Sequence, residues 1–242
     1  MNDSNNMVPS GVLLVDKDPG MTSHDVVAIA RRSLGIKKIG HCGTLDPMAT
    51  GLLMLVVGRA TKIQDLLMSE DKEYVGTITL GITTSTQDAE GEVIEEQGVG
   101  VLSEEEVRSA FEKYSGEFEQ VPPMVSAIKK DGVPLYKLAR KGKEVKRDPR
   151  PVYVTGYQLA RIDLPEIDFT VNCSKGFYVR SYAHDIGTTL GCGGHLSSLR
   201  RTRSGEFTLD RAVRVETLKT GGAQELIGSM ISLAEISLMR GA

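Results

Sequence analysis

The chain has no tryptophan, only three cysteines in 242 residues, and an aromatic content of 5%. Cys42, Cys173 and Cys192 are odd in number and widely spaced, which argues against a disulfide framework and for a reducing, cytoplasmic setting. No apolar stretch approaches the roughly 20 residues a membrane-spanning helix needs, so no membrane partner is expected. The opening Met-Asn-Asp-Ser-Asn-Asn lacks the basic and apolar regions of a secretory leader, and residues 1–10 read as a disordered tail. No internal repeat is visible. An excess of positive charge is also lacking, since the formal net charge is −3.

That total conceals an uneven distribution. Between Asp88 and Glu119 eleven acidic residues face only Arg108 and Lys113. Between Lys129 and Arg150 nine basic residues face three acidic ones, and Arg200, Arg201, Arg203, Arg211 and Arg214 form a second basic cluster. Phosphate binding requires a local positive surface and not a positive total. A charge run is also the ordinary composition of a solvated face, so the clusters alone do not decide between the two.

What is present is the composition of a globular protein, 40% hydrophobic and 25% charged, long enough to bury a substantial core. Val12–Val15 reads as a short strand. Thr22-x-x-Asp25 reads as a capping box that opens a helix to about Leu34. Leu52–Val57 reads as a buried strand, Thr61–Met68 as helical, and Tyr74–Gly81 as an alternating strand. Thr83–Gly91 is a polar loop, and Ser103-x-x-Glu106 opens a helix to about Tyr114. After the break at Pro122-Pro123 come an Asp131-Gly132 turn and a basic helix near Leu135–Lys141. Strands at Val152–Ile162 and Ile167–Cys173 flank a turn at Pro165. A helix over Val179–Leu190 ends at Gly191, Leu196–Arg203 is a strand, and Gln224–Leu238 reads as a final amphipathic helix. Strands and helices mix without regular βαβ alternation, so the fold class is α+β.

The most informative segment is His41-Cys-Gly-Thr-Leu-Asp46-Pro-Met-Ala-Thr-Gly51. Gly43 and Gly51 allow backbone angles other residues avoid, and Pro47 keeps Asp46 out of the helical region. Such a turn, followed directly by a buried strand, can hold one carboxylate rigidly as nucleophile or base. The same Asp-Pro pair is a common turn opener with no chemistry attached. Cys42 beside His41 offers a rival nucleophile, although neighbours in an extended segment point apart.

His41-x-Gly-x-Leu-Asp46-Pro-x-Ala-Thr-Gly51 resembles the catalytic motif of the TruB-type tRNA pseudouridine synthases. Four further segments resemble that family in the same order. They are Gly11-Val-Leu-Leu-Val-Asp-Lys17 through Ser23, Asp71-Lys-Glu-Tyr74, Cys173-Ser-Lys-Gly-Phe-Tyr178-Val-Arg180, and Gly191-Cys-Gly-Gly-His195 through Arg201. The matches run from about residue 11 to about residue 215.

The resemblance implies a pseudouridine synthase fold, with a mixed, largely antiparallel central sheet and flanking helices in one catalytic domain over residues 11–242. It implies isomerisation of uridine 55 in the TΨC loop of tRNA, with no metal and no organic cofactor. Asp46 is implied as the catalytic carboxylate, Arg180 as the charge that pairs with it, and Tyr74 as the ring that stacks on uracil and moves a proton. Tyr178 and Leu199 are implied in the base pocket. Lys17 would contact the active-site loop or a phosphate, and His41 would contact the RNA during nucleotide flipping. Tyr178 precedes Arg180 by two residues, which on a strand would turn both to one side.

His24, His184 and His195 read as structural, and Cys192-x-x-His195 lacks a second ligand pair for zinc. The expected partner is the T arm of tRNA, with the chain acting as a monomer and no obligatory protein partner. Many members carry a further C-terminal RNA-binding domain of the PUA type, which the sequence is read as lacking. Two alternatives stand beside the synthase reading: a non-catalytic tRNA-folding protein on the same scaffold, and a hydrolase using Cys42 and His41.

Overall fold

The computed structural model describes residues 8–241 except 127, 131, 140 and 144, with Lys129 and Lys130 described in their backbone only. Most of the expected disordered tail, one half of the Asp131-Gly132 turn and Arg140 of the basic helix therefore lie outside the described residues. The chain divides into two compact units, residues 1–72 with 200–242 and residues 73–199.

In the first unit the strand Gly11–Lys17 lies antiparallel to Thr50–Val57, with Leu13 opposite Leu55 and Val15 opposite Leu53. Val213–Arg214 pairs with the opening strand in parallel and Ile231–Ser232 antiparallel. Ile39–Cys42 flanks Thr50–Val57 on one edge, and residues 200 and 201 pair with its start in parallel. Leu52 to Val57 are completely buried. Such side chains contribute about 1.5–3 kcal/mol each, which makes this strand the anchor of the unit. The helix Ser23–Leu34 begins at Thr22, whose hydroxyl accepts from the Asp25 amide while the Asp25 carboxylate accepts from Thr22, so the capping box is present.

Gly51 shows how closely the backbone is packed there. Its φ is +94°, and a Cβ at this position would lie 2.2 Å from the Arg201 carbonyl oxygen. Neither the angle nor the space accepts a side chain. Gly51→Ala should lower stability by more than about 4 kcal/mol, read as loss of a cooperative urea transition or of soluble protein. A variant that keeps its unfolding midpoint would show that the two backbones can separate freely.

In the second unit the hairpin Arg150–Asp163 with Glu166–Cys173 is flanked by Gly116–Gln120 on one edge and by Lys72–Leu80 on the other. The strand Gly194–Ser204 contributes its residues 194–199 here and its remainder to the first unit. The scarce aromatics concentrate in this unit. Phe111 of the helix Glu104–Glu112 meets Tyr182 of the helix Val179–Thr189 edge-on at 5.7 Å and Phe169 at 5.9 Å. Phe118, Phe177, Tyr114 and Tyr157 extend the cluster. Edge-to-face packing of this kind adds about 0.5–1.5 kcal/mol per pair beyond burial.

Strand pairing is mixed and largely antiparallel, and the class is α+β, as the irregular order of elements indicates. Among the described residues no helix is long and apolar enough to cross a membrane. Two expectations fail. Gln224–Leu238 is not one helix but two, Ala223–Gly228 and Leu233–Met239, because residues 231–232 pair as a strand with Gly11 and Val12. Tertiary pairing overrides a continuous amphipathic pattern there. The expected polar loop Thr83–Gly91 begins inside a strand, Ile82–Thr84, that pairs with Val93–Glu96 beyond its end, and periodicity did not reveal the pair because every residue of the second strand is exposed.

Candidate active site

Asp46 lies, half-buried, in the turn between Ile39–Cys42 and Thr50–Val57. Three side chains from outside that turn hold it. The Ser23 hydroxyl donates to the Leu45 carbonyl at 3.2 Å and accepts from the Leu45 amide at 2.9 Å. Lys17, only 1% exposed, donates from Nζ to the carbonyls of Met21 at 2.8 Å, Asp18 at 2.9 Å and Pro47 at 3.2 Å. Arg201, also 1% exposed, donates from Nε to the Leu52 carbonyl at 2.7 Å and from Nη2 to the Gly43 carbonyl at 3.2 Å. The residues on both sides of Asp46 and both ends of the turn are thus tied to rigid elements. A carboxylate on such a support is positioned before any ligand arrives. The Lys17 ammonium thus joins the turn, through Pro47, to the segment that precedes the first helix.

His41 sits at the edge of this turn with its ring edge-on to His24 at 5.3 Å. Burial, reinforced by the nearby charges of His24 and Arg201, depresses its pKa to about 4. It is neutral near pH 7 and can offer hydrogen bonds, not charge, to a ligand. In the unfolded chain a histidine titrates near 6.5. Between these values the unfolded state binds the proton and the folded state does not. Stability contributed by neutral His41 is therefore complete above pH 6.5 and is lost as pH falls toward 4. Urea unfolding at pH 7 and pH 5 should show a steeper loss for wild type than for His41→Gln, and equal losses would refute the depressed pKa.

In the second unit Arg180 occupies the second position of the helix Val179–Thr189 and is buried. It donates from Nη1 to the Thr86 carbonyl at 3.0 Å and from Nη2 to the Val125 carbonyl at 2.7 Å, and its Nε lies 3.5 Å from Asp88 Oδ2. Asp88 accepts at Oδ1 from the Thr86 hydroxyl at 2.5 Å and the Glu90 amide at 3.1 Å. Tyr178 is the extended residue that caps this helix, not a strand residue, so the strand argument linking it to Arg180 fails. Its backbone is clasped instead by the Gln120 side chain, which accepts from the Tyr178 amide at 2.8 Å and donates to its carbonyl at 3.0 Å. Tyr74 is half-buried near the start of Lys72–Leu80, and Leu199 is buried in Gly194–Ser204.

The structure therefore gathers Asp46, Lys17 and His41 in the first unit, and Tyr74, Tyr178, Arg180 and Leu199 in the second. Four supporting residues escaped the sequence reading. Asp88 was counted in an acidic run, Arg201 in a basic cluster, and Ser23 only as the last residue of the opening segment. Nothing in the sequence marks Gln120. The second basic cluster is largely committed to the protein itself: Arg201 is buried, Arg200 is bidentate to Asp16 at 2.8 and 2.9 Å, and Arg211 pairs with Glu235 at 3.3 Å.

Cys42 is 1% exposed, and burial pushes its thiol up to about 12. With a neutral, poorly basic His41 beside it, no thiolate forms near pH 7, and the hydrolase alternative falls.

A family model described as TruB family pseudouridylate synthase, N-terminal domain, matches residues 31–179. A second, described as the tRNA pseudouridylate synthase B C-terminal domain, matches residues 180–232. The chain belongs to the TruB family.

Membership makes it a pseudouridine synthase, an isomerase. Over 209 residues it is 54% identical to the tRNA pseudouridine synthase B of Opitutus terrae, covering 86% of this chain and 87% of that one. It is 50% identical to the namesake from Geobacter sulfurreducens, covering 86% and 69%. Among solved structures it is similar to a Cbf5–Nop10–Gar1 complex at 31% identity and a TM-score of 0.70, over 93% of this chain and 60% of that chain. An H/ACA RNP bound to a substrate RNA containing 2′-deoxyuridine gives 29% identity and a TM-score of 0.65, over 89% and 54%. The chain thus spans little more than half the length of those structures' chains.

Proposed function

We propose that this TruB-family enzyme acts on tRNA and converts uridine 55 of the TΨC loop to pseudouridine. The observation that carries the reading is the 54% identity to a tRNA pseudouridine synthase B over most of both chains. The identity to the chain of the Cbf5–Nop10–Gar1 complex is lower, 31%, which favours the tRNA enzyme as the guide to substrate.

In this reaction the C1′–N1 glycosidic bond breaks, the detached uracil turns, and C5 bonds to C1′. N1 takes a proton and C5 loses one, so substrate and product are isomers and no oxidant, reductant or organic cofactor is required. Asp46 supplies the carboxylate that acts on the reacting nucleotide. Its immobilised turn supports that role, because a group already held in its reactive geometry loses no freedom on reaching the transition state. Arg180 supplies a fixed positive charge. Tyr74 stacks on the extracted uracil and moves a proton, and Tyr178 and Leu199 bound the base. Lys17 fixes the loop, and neutral His41 hydrogen-bonds RNA during extraction. Flipping costs a few kcal/mol, least for a base already in a loop, and stacking offsets it.

The test is tritium release from a tRNA transcript labelled at uracil C5, with the product mapped to position 55. Release of one tritium per tRNA supports the proposal. Tight binding without release, at any position, would leave the non-catalytic tRNA-folding alternative. In the same assay Cys42→Ser should keep its rate within about twofold, since a buried neutral thiol takes no part in catalysis. A rate loss of a hundredfold with unchanged folding would restore Cys42 as a reactive group.

A further inference from the structure

One strongly charged surface of the first unit takes no part in the site described above. Arg31 and Arg32 close the helix Ser23–Leu34, Lys37 and Lys38 lie just beyond it, and Arg59 and Lys62 lie on the 3-10 helix Gly58–Ile63. All six are exposed. The segments meet: Arg31 Nη2 donates to the Ile39 carbonyl at 2.7 Å, the Gly58 amide donates to the Lys38 carbonyl at 2.9 Å, and Ile39 pairs with Val57. From Val26 to Gln64 the only acidic residue is Asp46. Among the described residues none of the six cations has an ion-pair partner.

Arg31 and Arg32 also complement the carbonyl end of their helix. No such reason applies to Lys37, Lys38 and Arg59, which with Lys62 on the same 3-10 helix as Arg59 gather positive charge without a paired carboxylate. A polyanion would neutralise it. The surface lies at the far end of the strand whose near end carries the Asp46 turn, six residues from Gly51 to Val57. At ~3.3 Å per residue the separation is about 20 Å. One flipped nucleotide does not span that distance, so the phosphates concerned belong to another part of the RNA.

We propose that Lys37, Lys38, Arg59 and Lys62, with Arg32, form a second phosphate-binding surface that takes the tRNA backbone outside the T arm. It rests on the proposed tRNA substrate and adds to it a wider footprint. Such contacts release counterions, so each phosphate neutralised steepens the fall of log K with log salt by about 0.9.

The test compares wild type with the fourfold variant K37Q/K38Q/R59Q/K62Q, leaving Arg31 in place because its guanidinium also holds Ile39. Binding of a full tRNA transcript and of an isolated T-arm stem-loop is titrated from about 50 to about 200 mM salt. The expected result is at least about tenfold weaker binding of whole tRNA and a salt slope reduced by about 2 to 4, with stem-loop binding unchanged. The pairs K37Q/K38Q and R59Q/K62Q, each altering one segment, should share that reduction if the fourfold variant folds poorly. An unchanged slope on whole tRNA overturns the proposal, and so does an equal loss on the stem-loop, which would put the contact within the T arm. Tritium release by wild type is followed in parallel. Its absence overturns the substrate reading, whereas normal release with an unchanged slope overturns this proposal alone.

Discussion

Asp46→Asn should reduce turnover by about a thousandfold or more while leaving the protein folded and able to bind RNA. The substitution is nearly isosteric and removes only the negative charge and the basic oxygen. The turn itself is held by groups that the change leaves in place: Ser23 on Leu45, Lys17 on Pro47, and Arg201 on Gly43 and Leu52. The Asp46 backbone carbonyl also accepts from the Ala49 amide at 3.1 Å, which asparagine retains. Loss of a positioned nucleophile or proton-transfer group costs factors of roughly 10² to 10⁶ in rate. Single-turnover tritium release measures the effect, with thermal unfolding and RNA affinity as controls. A rate within tenfold of wild type would remove Asp46 from the chemistry.

Asp88→Ala should be among the most destabilising single changes outside the apolar core. The side chains of Asp88 and Arg180 are 5% and 4% exposed, and their ion pair at 3.5 Å spans the turn after Ile82–Thr84 and the start of the helix Val179–Thr189. Removing one partner takes a carboxylate away from a guanidinium that cannot lose its proton, at a cost of about 3–5 kcal/mol. The Thr86 hydroxyl and Glu90 amide lose their acceptor as well. For a chain of this size the melting temperature should fall by on the order of 10 °C. Asp88→Asn keeps an acceptor at Oδ1 and should lose less. Turnover should drop in both variants even at temperatures where they stay folded, because Arg180 loses one of the groups that orient it. Calorimetry and tritium release at about 25 °C separate the two effects. A melting shift below about 2 °C for Asp88→Ala would show that the pair carries little.

The local elements were legible because local rules govern them. Thr22-x-x-Asp25 and Ser103-x-x-Glu106 announce helix starts through reciprocal bonds that need only a short stretch of chain. The run Leu52–Val57 announces a strand buried on both faces. Where the pattern misled, a distant partner was responsible. Residues 231–232 leave a helical pattern to pair with Gly11 and Val12, and Val93–Glu96 forms a strand with no buried face to reveal it.

The sequence by itself determined the α+β class, the family, and the turn that presents Asp46, since each depends on residues close together in the chain or on an ordered set of motifs. Tertiary structure alone decided what the charges do. Asp88 and Arg201 look like surface charges in one dimension and are buried supports in three. Lys37, Lys38, Arg59 and Lys62, from two separate stretches, become one exposed cationic surface. Hydrogen bonding and hydrophobic patterning act over a few residues, whereas the desolvation and pairing of a charge depend on whichever distant segments surround it, and those are known only once the chain has folded.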